Sequence, residues 1–332
     1  MALQAHEPKE AFRFVSPDEA VGAHAAAAPA VRAMADGRVG AVVLAGGMAT
    51  RFGGVPKAAV ELWPGMTLLD VKLSLVEGVA ERFGATVPVV VVVSDATERS
   101  VLGLVARRNA SRLKIAVLRQ TLLPRLLVGR SLAGGSLARR ADGRLDMCPP
   151  GHGEVIGMLA RCGQELAPAV AWWMVSNIDN VLAGLDEGVL SAHIRSAAAA
   201  TVEVVEGEAG DAGGYLVWSG DRMRILEGFQ VREEDRPSDP FLFNTNSFVL
   251  GPEALRNHEA LPFHAVRKHS DAGHDVIQFE QLLGDVGLLG TLNAVRVARH
   301  GSRSRFVALK TREAFDAAKS SLRDLVEGRM AG

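Results

Sequence analysis

A glycine-rich loop with two basic side chains follows an apolar segment early in the chain. Residues 44–57 read LAGGMATRFGGVPK. Glycines let backbone amides approach a phosphate closely, and Arg51 and Lys57 bring two positive charges to the same loop. The loop is neither a Walker A motif nor a Gly-x-Gly-x-x-Gly dinucleotide fingerprint. It predicts a triphosphate site, with a glycine-rich turn that carries incidental basic residues as the alternative interpretation.

Two further polar motifs stand where ligands are commonly bound. Residues 148–154 read CPPGHGE and open a predicted helix. A helix N-terminus beside His152 suits an anionic or polar group, and a surface Pro-Gly turn is the alternative. Residues 176–180 read SNIDN and place Asp179 at the end of a predicted strand. A carboxylate there suits a hard metal ion beside phosphates, and an Asx turn that caps the strand is the alternative.

Several weaker motifs follow later in the chain. Asparagine and glutamate side chains commonly bind sugar hydroxyls, but none of these motifs is specific on its own. Three histidines at 264, 269 and 274 recur every five residues, which is not the i, i+4 spacing of a helical metal site, and no Gly-x-Ser-x-Gly hydrolase motif occurs. The weaker motifs read GG at 213–214, LE at 226–227, FNTN at 243–246 and VALKT at 307–311.

Alternating strands and helices must position these motifs. This alternation predicts a mostly parallel sheet covered by helices on both faces, with ligands bound at the carboxyl ends of the strands. The later part predicts a hairpin over 215–227, a strand over 243–250 and helices over 276–289 and 312–326. The earlier predicted strands cover 39–45, 87–93, 115–118 and 170–175, and the earlier predicted helices cover 68–83, 96–109 and 154–166.

The predicted domain organisation is a short extension followed by one catalytic domain. Residues 1–37 form a helical extension, because Ser16 and Pro17 are typical of a helix start and an alanine-rich stretch follows. We expect this helix to pack outside the domain, with a loose tail before it. The segments 128–146 and 232–240 are expected to be surface loops. Residues 38–330 divide into a nucleotide half at 38–200, a sugar half at 201–310 and a C-terminal helix at 311–330.

Composition excludes several classes of protein. The 332 residues carry a formal net charge of -1, which argues against nucleic-acid and anionic-membrane partners. The longest strongly apolar run, 87–93, is too short to span a bilayer. Cys148 and Cys162 match no zinc spacing, so we expect free thiols, a reducing compartment and a cytoplasmic protein without a signal peptide.

The order of the motifs is more specific than any one of them. It resembles the UDP-glucose pyrophosphorylase family, the eukaryotic-type UTP–glucose-1-phosphate uridylyltransferases, and more distantly the UDP-N-acetylhexosamine pyrophosphorylases. The family blocks are the signature loop at 44–57, Q-S-x-x-P-R at 120–125, P-P-G-H-G at 149–153, S-N-x-D-N at 176–180, the sugar-side blocks at 213, 226 and 243, and P-V-K-T at 308–311.

The chain departs from the family pattern in several places. Ala49 replaces a glycine before Thr50, and the signature loop is shorter than in the glucose enzymes. The blocks at 226–230 and 278–280 read LEGFQ and QFE, and the LPFH at 261–264 resembles the N-acetylhexosamine enzymes. The chain ends at residue 332, where family members continue into a β-helix domain. These departures leave the sugar and the base open.

The resemblance implies a Rossmann-like mixed α/β fold of the nucleotide-diphospho-sugar transferase type, without the C-terminal β-helix domain. It implies a nucleotidyltransferase that joins a nucleoside triphosphate, UTP before GTP, to a sugar 1-phosphate, glucose 1-phosphate first, with Mg²⁺ as cofactor. The implied site residues are Arg51, Lys57 and Lys310 for catalysis; Leu44, Ala45, Gly46, Gly47, Thr50, Gln120, Pro150, Gly151 and Gly153 for the nucleotide; His152, Asn177, Gly214, Glu227, Asn244 and Asn246 for the sugar phosphate; and Asp179 for the metal.

Two alternatives stay open. The first keeps the reaction and changes the substrates to GTP and a modified sugar or cyclitol 1-phosphate, in bacterial specialised metabolism. The second is a non-catalytic regulator that binds a nucleotide sugar. In each case we expect a monomer or a small homo-oligomer, with no nucleic-acid or membrane partner.

Overall fold

A computed structural model gives the positions of most of the chain. Its strands and helices are numbered here in chain order. The predicted loose tail precedes Ser16. Residues 1–10 of it lie outside the described residues, whereas Phe12–Phe14 form a strand and Val15 is buried, so that part of the prediction is wrong. The structure describes residues 11–22, 28–49, 54–109, 112–129, 136–208, 211, 213–237, 240–270, 272–307, 309 and 312–331.

The strands are β1 (Phe12–Phe14), β2 (Val21–Gly22), β3 (Val39–Leu44), β4 (Met48–Ala49), β5 (Val55–Pro56), β6 (Glu61–Trp63), β7 (Met66–Thr67), β8 (Val87–Val93), β9 (Leu113–Arg119), β10 (Leu123–Pro124), β11 (Leu126–Leu127), β12 (Met147–Cys148), β13 (Trp172–Asn177), β14 (Ala200–Glu206), β15 (Gly214–Ser219), β16 (Arg222–Glu227), β17 (Leu242–Leu250), β18 (His264–His269), β19 (Asp275–Glu280) and β20 (Leu292–Arg296). The α-helices are α1 (Ala28–Ala35), α2 (Leu68–Arg82), α3 (Glu98–Ala106), α4 (Glu154–Leu166), α5 (Glu187–Ser196), α6 (Pro252–Arg256) and α7 (Arg312–Ala331). Short 3₁₀ helices include Pro17–Glu19, Lys57–Ala59 and Leu283–Leu288.

One large mixed sheet organises the molecule. Its strand order is β2-β20-β14-β17-β13-β3-β8-β9, and the hairpin β15–β16 joins through β17. Neighbouring strands are parallel along this order except that β17 runs antiparallel to both β13 and β14. The predicted Rossmann-like, mostly parallel α/β fold is confirmed.

The central strands are apolar because both faces of the sheet are covered. Along β8, Val89 and Val91 pack into the core beneath α1, α2, α5 and α7, whereas Val90 and Val92 pack into the core beneath α4 and α6. Burying each such side chain stabilises the fold by roughly 1.5–3 kcal/mol. The alternation of faces explains why the strand reads as an unbroken valine run rather than as an amphipathic one.

The carboxyl ends of β3, β8, β9 and β13 meet at one edge of the sheet. Backbone hydrogen bonds continue past these ends, from Ala45 N to Val92 O at 2.7 Å and from Gln120 N to Val93 O at 2.9 Å. The parallel ladder therefore brings the glycine-rich loop, Gln120 and the SNIDN motif to the same edge.

The N-terminal region is not the single helix predicted for residues 17–36. Pro17–Glu19 forms one 3₁₀ turn, and Val21–Gly22 then pairs with the edge strand β20. β1 pairs with β15, so this region extends the sheet instead of packing outside it. Within the alanine-rich stretch, Ala28–Ala35 does form a helix, α1, which packs against α5. The predicted domain boundary at residue 37 stays a prediction.

The helix predicted over 276–289 is also wrong. Residues Asp275–Glu280 form β19, the central strand of a small sheet with β11 and β18, and Leu283–Leu288 is a 3₁₀ helix. The predicted surface loop at 128–146 is partly buried, because Ser136, Ala138 and Asp146 lie in the interior. Both cysteines are free thiols, as predicted. Across the described helices, none has the length and apolar character needed to cross a bilayer.

Candidate functional site

A half-buried ion pair lies where two of the predicted motifs meet. Lys57 begins the short helix that closes the glycine-rich loop, and its amide donates to Gly47 O at 3.0 Å. Its Nζ lies 2.7 Å from Oδ2 of Asp179, with side chains that are 30% and 15% exposed. The predicted phosphate-loop cation and the predicted metal ligand are thus in contact. Thr50 and Arg51 lie outside the described residues.

The turn after β13 is the junction of the site. Ile178 N donates to Leu44 O at 3.2 Å, so Asp179 follows directly on the paired ends of β3 and β13. Leu309 N donates to Asp179 O at 3.3 Å, and Val307 N donates to Oδ1 of Asn180 at 3.0 Å. The segment that leads to Lys310 therefore runs beside Asp179, although Lys310 itself lies outside the described residues.

Asp179 brings one carboxylate to this junction, and Oδ2 of that carboxylate accepts from Lys57 Nζ at 2.7 Å. In the part of the chain that the structure describes, no cluster of three His, Cys, Asp or Glu side chains forms a complete metal cage. Mg²⁺ at phosphate-transfer sites commonly takes one or two carboxylates and completes its shell with water and substrate phosphates. The residues present fit that arrangement.

Gln120 lies between two glycine-containing loops. Its Nε2 donates to Gly151 O at 2.7 Å. A Cβ at Gly46 would lie 2.9 Å from Oε1 of Gln120, so a side chain there would displace the glutamine. The structure brings together three of the predicted nucleotide-binding residues around one amide side chain. Leu44 and Ala45, immediately before Gly46, are buried.

The PPGHG turn packs against the segment after β19. Gly151 has a φ of +90°, and a Cβ there would lie 2.6 Å from Gln281 O. Gln281 N donates to Pro150 O at 2.6 Å, and Gly153 N donates to Gln281 O at 2.9 Å. The amide of Gly153 is therefore paired within the protein, and a Cβ at this position would lie 2.7 Å from the carbonyl carbon of Gln281. Its predicted place among the nucleotide-binding residues stays a prediction.

His152 is held in one tautomer. Its Nδ1 accepts a hydrogen bond from Leu283 N at 2.9 Å, and since an amide can only donate, the ring proton sits on Nε2. Burial lowers the pKa of His152 to about 4. At neutral pH the ring is an uncharged Nε2–H donor, so any contact with a sugar phosphate is a neutral hydrogen bond.

The predicted sugar-side asparagines form a chain of hydrogen bonds. Nδ2 of Asn246 donates to Oδ1 of Asn177 at 3.0 Å, and Asn246 N donates to Oδ1 of Asn244 at 2.8 Å. Asn246 has a φ of +57°, a left-handed conformation that asparagine tolerates better than most residues. The chain links the end of β13 to β17 and brings all three residues together.

Glu227 and Gly214 face each other across the β15–β16 hairpin. They are register partners, and a Cβ at Gly214 would lie 3.3 Å from Oε1 of Glu227 and 3.4 Å from Cβ of Asn244. Gly214 therefore leaves room for the glutamate beside Asn244. The carboxylate of Glu227 and the amide of Asn244, both beside Gly214, offer acceptors and donors that suit sugar hydroxyls.

Comparison with known proteins identifies the family. A family model described as UTP–glucose-1-phosphate uridylyltransferase matches residues 9–331, nearly the whole chain. This chain belongs to the UTP–glucose-1-phosphate uridylyltransferase family. The motifs described above, from the glycine-rich loop to the segment before Lys310, all lie within the matched residues.

Curated relatives in this family are longer than the chain. The enzyme of Hordeum vulgare is 27% identical over 299 residues, which cover 86% of this chain and 62% of the relative. The Saccharomyces cerevisiae enzyme is 30% identical over 227 residues, which cover 64% of this chain and 44% of the relative. Both carry the name UTP–glucose-1-phosphate uridylyltransferase. The chain spans 59% of a Schizosaccharomyces pombe relative.

Solved structures share the fold. A variant of UDP-glucose pyrophosphorylase from Leishmania major, in complex with UDP-glucose, has a TM-score of 0.75 and 22% identity, covering 91% of this chain and 69% of that protein. The UDP-N-acetylglucosamine pyrophosphorylase of Trypanosoma brucei has a TM-score of 0.70 and 18% identity, covering 88% of this chain and 66% of that protein. Both of the predicted families share the architecture.

Motif reading missed two buried cations beside the family's SNIDN turn. Lys72 on α2 donates from Nζ to Asn180 O and to Ala183 O, each at 2.5 Å. Arg305 forms a bidentate ion pair with Glu203 at 2.7 and 2.8 Å. Lysine on the apolar face of a predicted helix is the signal that identifies Lys72, because the four residues before it are all buried.

Motif reading also missed an ion pair beside the sugar-side residues. Nε2 of His264 lies 2.6 Å from Oδ2 of Asp285. The hydrogen bond to Asp285, with the carboxylates of Asp285, Glu227 and Glu280 nearby, raises the pKa of His264 against the opposing effect of burial. His269 contacts Asp275 at 3.2 Å. The observed partners of these two histidines are carboxylates, 21 residues away for His264 and 6 residues away for His269.

Proposed function

We propose that the chain is a sugar-1-phosphate nucleotidyltransferase that forms a nucleoside diphosphate sugar and pyrophosphate from UTP and glucose 1-phosphate. The observation that carries the proposal is the contact between Lys57 and Asp179 at the junction of the glycine-rich loop, the SNIDN turn and the 307–309 segment. Family membership and the names of the relatives support the substrate pair.

The proposed reaction joins two polyanions. A phosphate oxygen of the sugar 1-phosphate forms a bond to the α-phosphorus, and the bond from that phosphorus to the bridging α–β oxygen breaks, so that pyrophosphate leaves with the electron pair. No covalent enzyme intermediate is needed, and catalysis consists of positioning and charge neutralisation. Lys57 neutralises the triphosphate and the departing pyrophosphate.

Asp179 is the proposed ligand of Mg²⁺. When bound, the ion neutralises phosphate charge and orients the reacting phosphates. Nζ of Lys57 lies 2.7 Å from the same carboxylate. The Lys57 ammonium and the proposed Mg²⁺ would therefore both neutralise charge on the same triphosphate. Arg51 and Lys310 keep their predicted catalytic roles as proposals.

Gln120 is the proposed base reader. Its Nε2 holds Gly151 O, which orients the amide so that Oε1 lies beside Gly46. An amide oxygen accepts from N3–H of uracil or from N1–H of guanine, which keeps UTP first and GTP second. Glu227, Asn244 and Asn246 are the proposed ligands of the sugar hydroxyls, and His152 donates from Nε2 to the sugar phosphate.

The GTP-dependent alternative and the regulator remain testable. The relatives reported above are eukaryotic, so they lend no support to the predicted bacterial origin. The cytoplasmic location and the monomer or small homo-oligomer stay predictions of the sequence.

Pyrophosphate release tests the proposal. Each of the four nucleoside triphosphates is incubated with glucose 1-phosphate, N-acetylglucosamine 1-phosphate or a cyclitol phosphate, with Mg²⁺ or with EDTA. We expect release with UTP, glucose 1-phosphate and Mg²⁺, and none with EDTA. A GTP-specific signal favours the first alternative. Binding of UDP-glucose by calorimetry, without release under any condition, favours the regulator.

A further inference from the structure

Lys72 is a buried basic residue, and within the described ranges Glu203 and Asp179 attract its charge only from beyond ion-pair distance. The residue is 1% exposed. Within the described ranges, its ammonium forms no ion pair with an aspartate or glutamate, and its two hydrogen bonds go to backbone carbonyls. Burial and the neighbouring Arg305 lower the pKa of the Lys72 ammonium to about 7. An ammonium in such a place costs folding free energy that a methionine of similar size does not.

The carbonyls that Lys72 holds belong to a segment contacted by two other cations. Arg329 donates to Leu182 O at 3.1 Å, and Arg305 donates to Gly184 O at 3.0 Å. We call Lys72, Arg305 and Arg329 the cation clamp. The clamp holds carbonyls of segment 180–184, which directly follows the proposed metal ligand.

Among the three clamp residues, Lys72 has the contact that lies nearest in sequence to Asp179. Arg305 is chiefly paired with Glu203, and Arg329 also donates to Ser304 O. Of the three clamp members, Lys72 is the one with a described contact to the carbonyl of Asn180, the residue after Asp179, and this carbonyl also accepts from Ala183 N at 3.2 Å. The side chain of Asn180 in turn accepts from Val307 N. The ammonium thus fixes the peptide that connects Asp179 to the segment before Lys310.

We propose that Lys72 is a positioning residue for nucleotidyl transfer, which holds the turn 179–183 so that Asp179 faces Lys57. The proposal rests on the function proposed above. Lys72 touches neither substrate nor metal in this scheme. Its effect is transmitted through two carbonyl oxygens, and phosphoryl chemistry is sensitive to such placement because a shift of about 1 Å can cost about 10²-fold in rate.

The test compares Lys72→Met with Lys72→Arg and with a control at a residue that contacts the same helix, α2, from outside it. Arg108→Met is the matched control, because Arg108 also donates to a backbone carbonyl, Asp70 O at 3.3 Å, and its side chain is 13% exposed. It has no contact with the turn 179–183 among the hydrogen bonds of the described chain. Thermal unfolding of each variant gives the general cost in stability.

The expected result separates positioning from stability. Lys72→Met lowers kcat by about 10- to 100-fold, leaves the KM for the sugar phosphate nearly unchanged and increases hydrogen exchange in peptides covering 178–186. Lys72→Arg keeps N–H donors at this position, so we expect it to recover part of the lost kcat and part of the protection from exchange in 178–186. Arg108→Met loses stability with near-native kcat and native exchange in 178–186.

Three outcomes overturn the proposal. Native kcat in Lys72→Met is one, and an equal kcat loss in Arg108→Met is another, since both point to a merely structural lysine. The third is unchanged exchange of 178–186 in Lys72→Met. If the wild-type chain releases no pyrophosphate, the proposed function fails separately, and the exchange measurement still decides whether Lys72 holds the turn.

Discussion

The two sides of the site are held by different means. On the nucleotide side, charged groups with buried or half-buried partners fix the loops, as in the pairs of Lys57 with Asp179 and of Lys72 with Asn180 O. On the sugar side, one wall is β17 and the other is the β15–β16 hairpin with the small sheet of β18 and β19. Phe229 and Phe263, near this second wall, are 50% and 53% exposed.

This difference suggests that the residues proposed for catalysis and the residues proposed for sugar selection lie on different sides of the site. Transfer between two polyanions depends on charges at fixed positions, so we expect Lys57 and Asp179 to tolerate little change. The proposed ligands of the sugar hydroxyls lie on β16, in the hairpin that joins the sheet through β17, and on β17 itself. Asn246 on β17 also contacts Asn177 at the end of β13. The departures at 226–230 and 278–280 fall on this second side.

Asp179→Asn should give the largest effect. The substitution keeps the shape but removes the charge that faces Lys57, so we expect turnover to fall by about 10³-fold and the Mg²⁺ requirement to move to higher concentration. Steady-state pyrophosphate release across a Mg²⁺ titration measures both. An unchanged Mg²⁺ dependence would favour the Asx-turn interpretation of this residue.

Lys57→Ala should be the next largest. Loss of one electrostatic stabiliser is expected to lower turnover by about 10²-fold. Because the Lys57 side chain is 30% exposed, the melting temperature should change little. Near-native turnover would remove Lys57 from the mechanism, and a large drop in melting temperature would assign it a structural role.

Gln120→Ala tests whether the nucleotide side of the site recognises the base. The variant loses the amide that lies between Gly46 and Gly151, so we expect the KM for the preferred triphosphate to rise about 30-fold, or about 2 kcal/mol. The KM for the sugar phosphate should stay within about threefold, a change below 1 kcal/mol. Retained discrimination among UTP, GTP and ATP would contradict the base-reading role.

Phe229→Ala tests the sugar side and should have a small effect. The ring lies edge-on to His264 with centroids 6.3 Å apart, and half of it is exposed. We expect turnover with UTP to be retained and the preference between glucose 1-phosphate and N-acetylglucosamine 1-phosphate to shift by less than about tenfold. A loss as large as that of Lys57→Ala would contradict the division into a strict side and an adaptable side.

The pair of His264 and Asp285 predicts the smallest effect, on stability. The raised pKa of His264 means that the folded state holds the imidazole proton more tightly than the unfolded state does. The contribution is therefore complete below the unfolded pKa of about 6.5 and is lost as pH rises through the folded value. The free energy of unfolding of wild type should exceed that of His264→Asn by up to about 1 kcal/mol at pH 6 and by less at pH 9. A difference that grows with pH would contradict the assignment.

Local sequence patterns predicted the nucleotide half well for a physical reason. The valine run at β8 and the strand before Asp179 have both faces buried, so composition alone identifies them. Parallel order then places Lys57 and Asp179 at one edge. Periodicity failed at 276–289, because Val276, Phe279 and Val286 recur at helical spacing although β19 is stabilised by pairing with β11.

The remaining site features depend on contacts that no local pattern encodes. Lys72 acquires its role from carbonyls more than 100 residues away, at separations of 108 and 111. The amide of Gly153 donates to the carbonyl of Gln281, which follows β19 and is distant from Gly153 in sequence. Motif order located the loops, whereas the partners of each polar atom came only from tertiary packing.

The antiparallel strand β17 governs when the protein can fold during its synthesis. It lies between β13 and β14, yet both of these strands leave the ribosome before it does. At about 5–20 residues per second, the interval between residue 177 and residue 250 lasts several seconds. During this interval the backbone N–H and C=O groups along one edge of β13 have no partner strand. Such an edge can pair with a strand of another chain. Chaperone protection of the nascent chain is therefore expected to matter most while the hairpin β15–β16 is being made, before the nucleotide half can close.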